Sequence, residues 1–183
     1  MNKILLFLCI IFTGLSFFAS AQNTNYVINA KGEKVACDFK SSIFGGSLKY
    51  RTDSTGKFEE VDPFNVKAYH RKNDAYVHSS VATDYGQIFL ERIETGKINL
   101  YQYQAGSGQY GKEIKWYIEK NGEDGAALIK ANSLIKDEKA KKDLFKALIA
   151  DNSSASRLYN PYDFSFETIQ RIVHIYNIAS AVH

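Results

Sequence analysis

Apolar and polar side chains alternate along most of the chain between Tyr26 and Lys130. Successive side chains of a β-strand point to opposite faces of the sheet, so a period of two residues is typical of strands that bury one face only. Strands of that kind belong to antiparallel sheets. The alternation is clearest in residues 34–39, 48–52, 66–71, 98–103 and 114–119. We therefore predict a mainly antiparallel β fold for this part of the chain.

Turn-forming residues separate the predicted strands at intervals of about ten residues. Glycine and asparagine tolerate the positive φ that tight hairpins need. The turns fall at Lys31-Gly32, Gly45-Gly46, Ser54-Thr55-Gly56, Lys72-Asn73-Asp74, Thr95-Gly96 and Asn121-Gly122. This spacing is typical of a meander, a sandwich or a partly open barrel, and the sequence does not choose among the three.

The hydrophobic period lengthens to that of an amphipathic helix after Asn132. It predicts one helix over residues 133–150, with Ser133 as the N-cap, and a second helix over 166–180, with Ser165 as the N-cap. Two such helices bury too little surface to fold by themselves, so we expect both to pack on the sheet. The predicted fold class is α+β, a mainly antiparallel sheet with two C-terminal helices packed on it.

The first 21 residues have the features of a signal peptide. Lys3 supplies a positive charge, residues 4–12 form an apolar run, and Ala19 and Ala21 place small side chains before a cleavage site. We predict cleavage between Ala21 and Gln22, and export from the cytoplasm. A retained membrane anchor is the alternative, because about 20 residues can cross a bilayer. However, no cluster of charges follows the apolar run.

The mature chain, residues 22–183, is predicted to be a single β-rich domain. It has 162 residues, a net charge of +2 and one cysteine, Cys37, so no internal disulfide is expected. No linker rich in glycine, serine or proline separates the strands from the helices, and no later segment is long and apolar enough to span a membrane. The charge is too small and too scattered to indicate a nucleic-acid partner.

Three patterns that suggest chemistry have simpler structural explanations. Residues 106–111 match the G-x-G-x-x-G fingerprint of dinucleotide sites, but a predicted strand follows them where that site needs a helix N-terminus. Cys37 shares a strand face with Val35 and Phe39, which indicates a buried, unreactive thiol. The four histidines lack the spacing of metal ligands. We therefore expect no metal and no cofactor, and we identify no catalytic residue.

The aromatic side chains of one predicted hairpin are the best candidates for binding. If Leu100 lies opposite Ile118, the hairpin has two different faces. One face carries Ile98, Leu100, Trp116 and Ile118, and the other carries Tyr101, Tyr103 and Tyr117. Tyrosine joins an apolar ring to a polar tip, which suits the surface of a sugar, a peptide or a partner protein. The alternative is that the C-terminal helices cover one of these faces.

Three sequence segments resemble those of a known family. They are Tyr26-Val27-Ile28 followed by Gly32-Glu33, the run LERIETGKINLY at 90–101, and a final helix that ends Ile172-Val173-x-x-Tyr176-Asn177. The chain resembles a family of exported β-rich proteins of unknown function from Bacteroidetes. The resemblance covers most of the mature chain and implies a Gram-negative envelope, either the periplasm or the outer-membrane surface. It supplies no catalytic residue.

Together these features predict an exported cell-envelope protein that acts as a non-enzymatic binding or interaction module. Tyr101, Tyr103 and Tyr117 are the predicted binding residues, and the expected partner is an envelope protein or a glycan. Two alternatives stay open. One is a hydrolase that acts on glycan or lipid with strand carboxylates and His70 or His78, two residues that flank one predicted hairpin and could approach each other. The other is a structural accessory of an outer-membrane assembly.

Overall fold

The computed structural model describes residues 24–41, 47–52, 56–106, 111–121, 125–133 and 137–181. The predicted signal peptide at 1–21 lies outside the described residues, as does the predicted turn at Gly45-Gly46. Eleven strands occur within the described ranges. They are β1 (Tyr26–Asn29), β2 (Lys34–Ala36), β3 (Asp38–Lys40), β4 (Lys49–Arg51), β5 (Glu59–Glu60), β6 (Val66–His70), β7 (His78–Thr83), β8 (Gly86–Glu94), β9 (Ile98–Ala105), β10 (Glu113–Lys120) and β11 (Ala127–Ala131).

The strands form two antiparallel sheets, as the alternation predicts. The larger sheet has eight strands in the order β11-β10-β9-β8-β7-β6-β1-β2, and the smaller one has the order β3-β4-β5. Neighbouring strands are antiparallel throughout. From β6 to β11 each strand pairs with the next one in sequence, so this part is a meander. Neither sheet closes on itself by a continuous ladder of hydrogen bonds.

Three helices follow the sheet within the described residues. They are α1 (Glu138–Leu148), α2 (Ser153–Leu158) and α3 (Phe166–Ala181). The predicted packing of the C-terminal helices on the sheet is confirmed, because side chains of α1 and α3 share one core with side chains of β9 and β10. In the described part of the chain, no helix has both the length and the apolar character that a membrane crossing requires.

The helix boundaries differ from the prediction at two places. The first helix begins at Glu138 rather than at 133, because Asp137 has φ 58° and ψ 47°, a left-handed conformation that a right-handed helix cannot include. Ser133 is therefore not its N-cap, and its hydroxyl donates instead to Glu113. The six-residue helix α2 is additional to the two predicted helices. At the start of α3 the prediction is confirmed, since the Ser165 hydroxyl oxygen accepts a hydrogen bond from the Thr168 N–H.

The pairing of the β9–β10 hairpin on which its two predicted faces depend is the one observed. Leu100 lies opposite Ile118, and Gln102 lies opposite Trp116. Strand β10 begins two residues after Gly111. The glycine fingerprint therefore precedes a strand, and the helix N-terminus that would bind a pyrophosphate does not follow it.

The helices cover one face of strands β8 to β11 and form the main core there. The rings of Trp116 and Phe166 meet edge to face at 4.8 Å between their centroids. The core includes Ile98, Leu100, Trp116, Ile118 and Ile129 from the sheet and Phe145, Ile149, Ile169, Ile172, Val173 and Tyr176 from the helices. The alternative that the C-terminal helices cover one of the two faces of the hairpin is therefore correct, and the structure shows that it is the face with Ile98, Leu100, Trp116 and Ile118.

The opposite face of strands β7 to β11, which we call the concave face, is buried by curling of the sheet itself. The N–H of Ala126, the residue before β11, donates to the Ala82 carbonyl of β7 at 2.8 Å, although four strand pairings separate the two strands. Irregular pairing between Arg92 and Glu94, and between Trp116 and Tyr117, accompanies this curvature. The curl buries Val81, Leu90, Tyr101, Tyr117 and Ala126 against one another.

The smaller sheet packs on the helix-facing side of β1, β6 and β8 and forms a separate core. Val27, Val61 and Val66 lie at its centre. Cys37 is half-buried beside this core. Burial raises the pKa of the Cys37 thiol to about 11, so the thiol stays protonated at neutral pH and is a poor nucleophile.

Candidate functional site

Two of the predicted binding tyrosines lie inside the concave face. Tyr101 and Tyr117 are 4% and 1% exposed, respectively. The Tyr101 hydroxyl donates to Glu119 Oε2 at 2.7 Å. Burial, followed by this hydrogen bond to Glu119, raises the pKa of Tyr101 far above its ordinary value. A partner cannot reach either ring without opening the sheet, so their present role is to fill the core.

The third predicted residue, Tyr103, lies at the end of the concave face and is half-buried. Its ring is 5.9 Å from the Lys115 ammonium nitrogen, and the ring of Tyr85 is 5.6 Å from the same nitrogen. Both distances fall within the range of cation–π attraction. Lys115 also pairs with Glu113 at 3.2 Å. We call Tyr85, Tyr103, Glu113 and Lys115 the tyrosine cluster.

Tyr85 is the accessible member of the tyrosine cluster, with 66% of its surface exposed. It lies in the two-residue turn between β7 and β8, where the Thr83 hydroxyl oxygen accepts a hydrogen bond from the Tyr85 N–H. Sequence reasoning did not identify it. The available signal was an aromatic residue between Asp84 and Gly86, because a tight turn places its side chains in solvent.

Electrostatic coupling connects the tyrosine cluster to the core beneath it. Burial raises the pKa of Tyr117 to about 12, and the negative charges of Asp84 and Glu113, together with Tyr85 and Tyr103, add to the effect. Tyr103 also packs against the core that contains Tyr117, so the half-buried ring of the cluster lies on a buried one.

A cavity of about 470 Å³ adjoins the tyrosine cluster at Glu113. It is lined by Ala105, Gly106, Gly111, Lys112, Glu113, Asn132 and Ser133. The Asn132 side chain fixes its base, since its oxygen accepts from the Ile114 N–H at 2.9 Å and its nitrogen donates to the Lys112 carbonyl at 2.7 Å. The strand ends that carry the cluster are therefore held in place before any ligand arrives.

A second polar group surrounds His78 on the helix-facing side of the sheet. His78 Nε2 lies 3.0 Å from Asp74 Oδ2, and Arg71 binds both oxygens of Asp74 at 2.7 and 2.9 Å. The imidazole stacks on the ring of Tyr69 at 4.5 Å, and Glu91 is its partner across β7 and β8. Burial holds the pKa of His78 below its ordinary value against the opposing attraction of Asp74.

Asp74 also borders a cleft between the two sheets, which we call the inter-sheet cleft. Its volume is about 460 Å³. Its lining consists of Asn25, Phe39, Ser41, Leu48, Arg71, Lys72, Asn73 and Asp74. The cleft combines apolar side chains from the small sheet with charged and amide side chains from the β6–β7 turn. The sequence placed this turn correctly but gave no indication that the small sheet would face it.

The two histidines that flank the β6–β7 turn do not meet. Tyr69 is the cross-strand partner of His78, so the next residue, His70, faces the opposite side of the sheet. His70 is buried and stacks on Tyr26 at 5.3 Å. The suggestion that His70 and His78 could approach each other is therefore wrong.

Two further strand carboxylates, those of Glu91 and Glu94, accept hydrogen bonds from side chains of neighbouring elements. Glu91 accepts from Gln102 at 3.0 Å, and Glu94 accepts from Gln170 at 3.3 Å. Among the described residues, no group of three or more His, Cys, Asp or Glu side chains has an arrangement that could hold a metal ion.

Comparison of the chain with protein-family models, curated proteins and solved structures found no match. The resemblance to an exported Bacteroidetes family therefore stays a prediction. Two of the sequence segments on which this resemblance rests, the run at 90–101 and the final helix, are in direct contact in the structure. The Asn177 side chain accepts from the Ile98 N–H at 2.9 Å and donates to the Ile98 carbonyl at 2.8 Å, so the final helix binds the first residue of β9.

Proposed function

We propose that this protein is a non-enzymatic binding module of the cell envelope that is exported through its first 21 residues. In this proposal it binds a partner protein through the tyrosine cluster. The observation that carries the proposal is the exposure of Tyr85 beside the cation of Lys115. Exposed aromatic rings next to fixed charges are typical of the residues that contribute most to protein association.

The rigidity of the cluster supports the same proposal. Tyr103 and Lys115 lie opposite each other on β9 and β10, which pair over eight residues. Binding to a preformed surface loses less conformational entropy than binding to a mobile loop. A partner could therefore gain affinity from a small contact area.

A site-specific photocrosslinker placed at position 85 in living cells tests this function. We expect a discrete crosslinked product in the envelope fraction, and we expect Lys115→Gln to reduce its yield. The matched control position is 162, because Tyr162 is 97% exposed but lies between α2 and α3. Equal products from both positions, or none from position 85, would contradict the proposal. If position 85 labels polysaccharide instead of protein, the partner is a glycan.

A second candidate function is hydrolysis of an envelope glycan or lipid. The observation that favours it is the carboxylate of Asp74 beside His78, an arrangement that orients an imidazole as a general base. Asp74 is itself held by Arg71. Within the described residues, His78 does not line the inter-sheet cleft, and this weakens the candidate relative to the binding module.

Hydrolysis of nitrophenyl esters and glycosides by the purified protein tests this second candidate. A hydrolase of this kind should gain activity as His78 loses its proton and should lose that activity in His78→Gln. His70→Gln is the control, because His70 faces the other side of the sheet. Activity that is absent, or that His78→Gln leaves unchanged, excludes His78 as a general base.

A further inference from the structure

The inter-sheet cleft shares no lining residue with the tyrosine cluster, and among the described residues of its lining positive charge exceeds negative charge. We propose that this cleft is a second binding site, for a small organic anion that carries an apolar group. The anionic end, a carboxylate or a phosphate ester, is recognised by Lys72. The apolar end lies against Phe39 and Leu48. This site is independent of the proposed partner-binding function.

The charge balance of the lining selects an anion. Among the described lining residues Asp74 is the one acid, and Arg71 neutralises it through two hydrogen bonds. The Lys72 ammonium group makes no ion pair with any described residue, so its charge is available to a ligand. The Lys72 N–H donates to the Asn25 side-chain oxygen at 2.8 Å, and this bond fixes the backbone from which the lysine extends.

Further hydrogen-bond donors in the lining also favour an anion. The amide of Asn73 and the hydroxyl of Ser41 line the cleft, and neither makes a side-chain hydrogen bond to another described residue. With Lys72 they can donate to several oxygens of one ligand. Hydrogen bonds to a charged group are stronger than those between neutral groups, so a carboxylate or phosphate gains more here than a neutral amide.

The size and the apolar wall limit the rest of the ligand. A volume of about 460 Å³ lies within the usual range for small-molecule sites. Phe39 and Leu48 belong to the core of the small sheet and are only half-buried, so each leaves apolar surface toward the cleft. Covering that surface with an apolar group releases water and adds to the affinity.

Titration of the purified protein with hexanoate, followed by backbone amide NMR, tests the proposal. We expect saturable shifts at residues 71–74, much weaker shifts with hexanamide, which lacks the charge, and weaker binding of acetate, which lacks the apolar chain. Lys72→Gln should weaken hexanoate binding about three- to tenfold. Lys67→Gln is the control, because Lys67 is also exposed and lies on β6, outside the cleft lining.

Two results would overturn the site. One is equal affinity for hexanoate and hexanamide, and the other is an equal loss of affinity in Lys72→Gln and Lys67→Gln. A membrane lipid could supply the same anionic chemistry as a soluble compound. Cosedimentation with phosphatidylglycerol vesicles that Lys72→Gln abolishes would assign the lipid as the source. Hexanoate binding without cosedimentation would assign a soluble anion, and absence of both would reject the proposal.

Discussion

Asn177 shows how one side chain can fix a helix on a sheet. Its amide forms two hydrogen bonds with the backbone of Ile98, and its side chain occupies the space beside Gly96. A methyl group at Gly96 would overlap the Asn177 side chain. Gly96 therefore has a packing role, because only hydrogen leaves room for the asparagine.

Substitution at both positions tests this account. We expect Asn177→Ala to lower the free energy of unfolding by about 1–3 kcal/mol, because it leaves two backbone groups of Ile98 without partners. Gly96→Ala should also destabilise the protein. The double variant should lose less free energy of unfolding than the sum of the two single losses. The reason is that Asn177→Ala removes the side-chain atoms that the methyl group of Gly96→Ala would overlap. Urea unfolding measures all three, and additive losses would contradict direct contact.

His78 makes stability depend on pH. Asp74, Glu91 and Arg71 are the charged groups around it, and burial holds its pKa below the ordinary value of 6.5. The unfolded chain therefore binds this proton more readily than the folded chain does, and the contribution to stability falls as the pH is lowered from about 7 to about 5. We expect the loss of stability to be smaller in His78→Gln over this range. His174→Gln is the exposed control, and an unchanged slope in His78→Gln would contradict the burial argument.

At the level of elements, the start of α1 is strained by Asp137. Its φ of 58° favours glycine, and its side chain makes no capping hydrogen bond. We expect Asp137→Gly to raise the free energy of unfolding by about 0.5–1 kcal/mol. Asp137→Ala should lower it, and Asp137→Asn separates the effect of charge from that of conformation. If thermal unfolding shows that the glycine variant is less stable than the wild type, the conformation assigned to Asp137 is wrong.

The strands and the long helix were predictable because their signals are local. Alternation in β9 and β10 indicated which residues share a face, and the apolar stripe of α3 indicated its buried side. The start of α1 was not predictable, because Asp137 adopts a left-handed backbone conformation that is uncommon for residues other than glycine. The helix α2 has only six residues and few apolar ones. Its stability comes from the cap, since the Asn152 side chain accepts from the N–H groups of Ser154 and Ala155.

At the scale of the whole molecule, the contact between β7 and β11 determines which face is concave. Gly125 has φ 96°, and a methyl group there would lie 2.9 Å from the Ala82 carbonyl oxygen. Gly86 has a similar φ of 98° but has open space around it. We expect Gly125→Ala to destabilise the protein more than Gly86→Ala. Both substitutions strain the backbone, but only Gly125→Ala also brings a methyl group into steric overlap with the Ala82 carbonyl. Equal losses in urea unfolding would show that the two strands do not meet.

The candidate site was only partly predictable for the same global reason. The sequence pattern correctly predicted that Tyr101, Tyr103 and Tyr117 share one face of the hairpin. The curl of the sheet that buries Tyr101 and Tyr117 depends on strands that are far apart in the chain. Tyr85 joins Tyr103 only because the β7–β8 turn reaches the end of β9 and β10. The inter-sheet cleft likewise needs the small sheet to lie over the β6–β7 turn. Local sequence patterns do not indicate these contacts between segments that are distant in the chain.

The distribution of buried and accessible tyrosines is the central claim, and hydroxyl-radical footprinting with mass spectrometry measures it most directly. In the free protein, Tyr85 and Tyr162 should be oxidised rapidly, and Tyr101 and Tyr117 slowly. After incubation with detergent-solubilised native envelope, Tyr85 should become protected while Tyr162 stays reactive. Rapid oxidation of Tyr101 or Tyr117 in the free protein, or protection of Tyr162 without protection of Tyr85, would contradict the account.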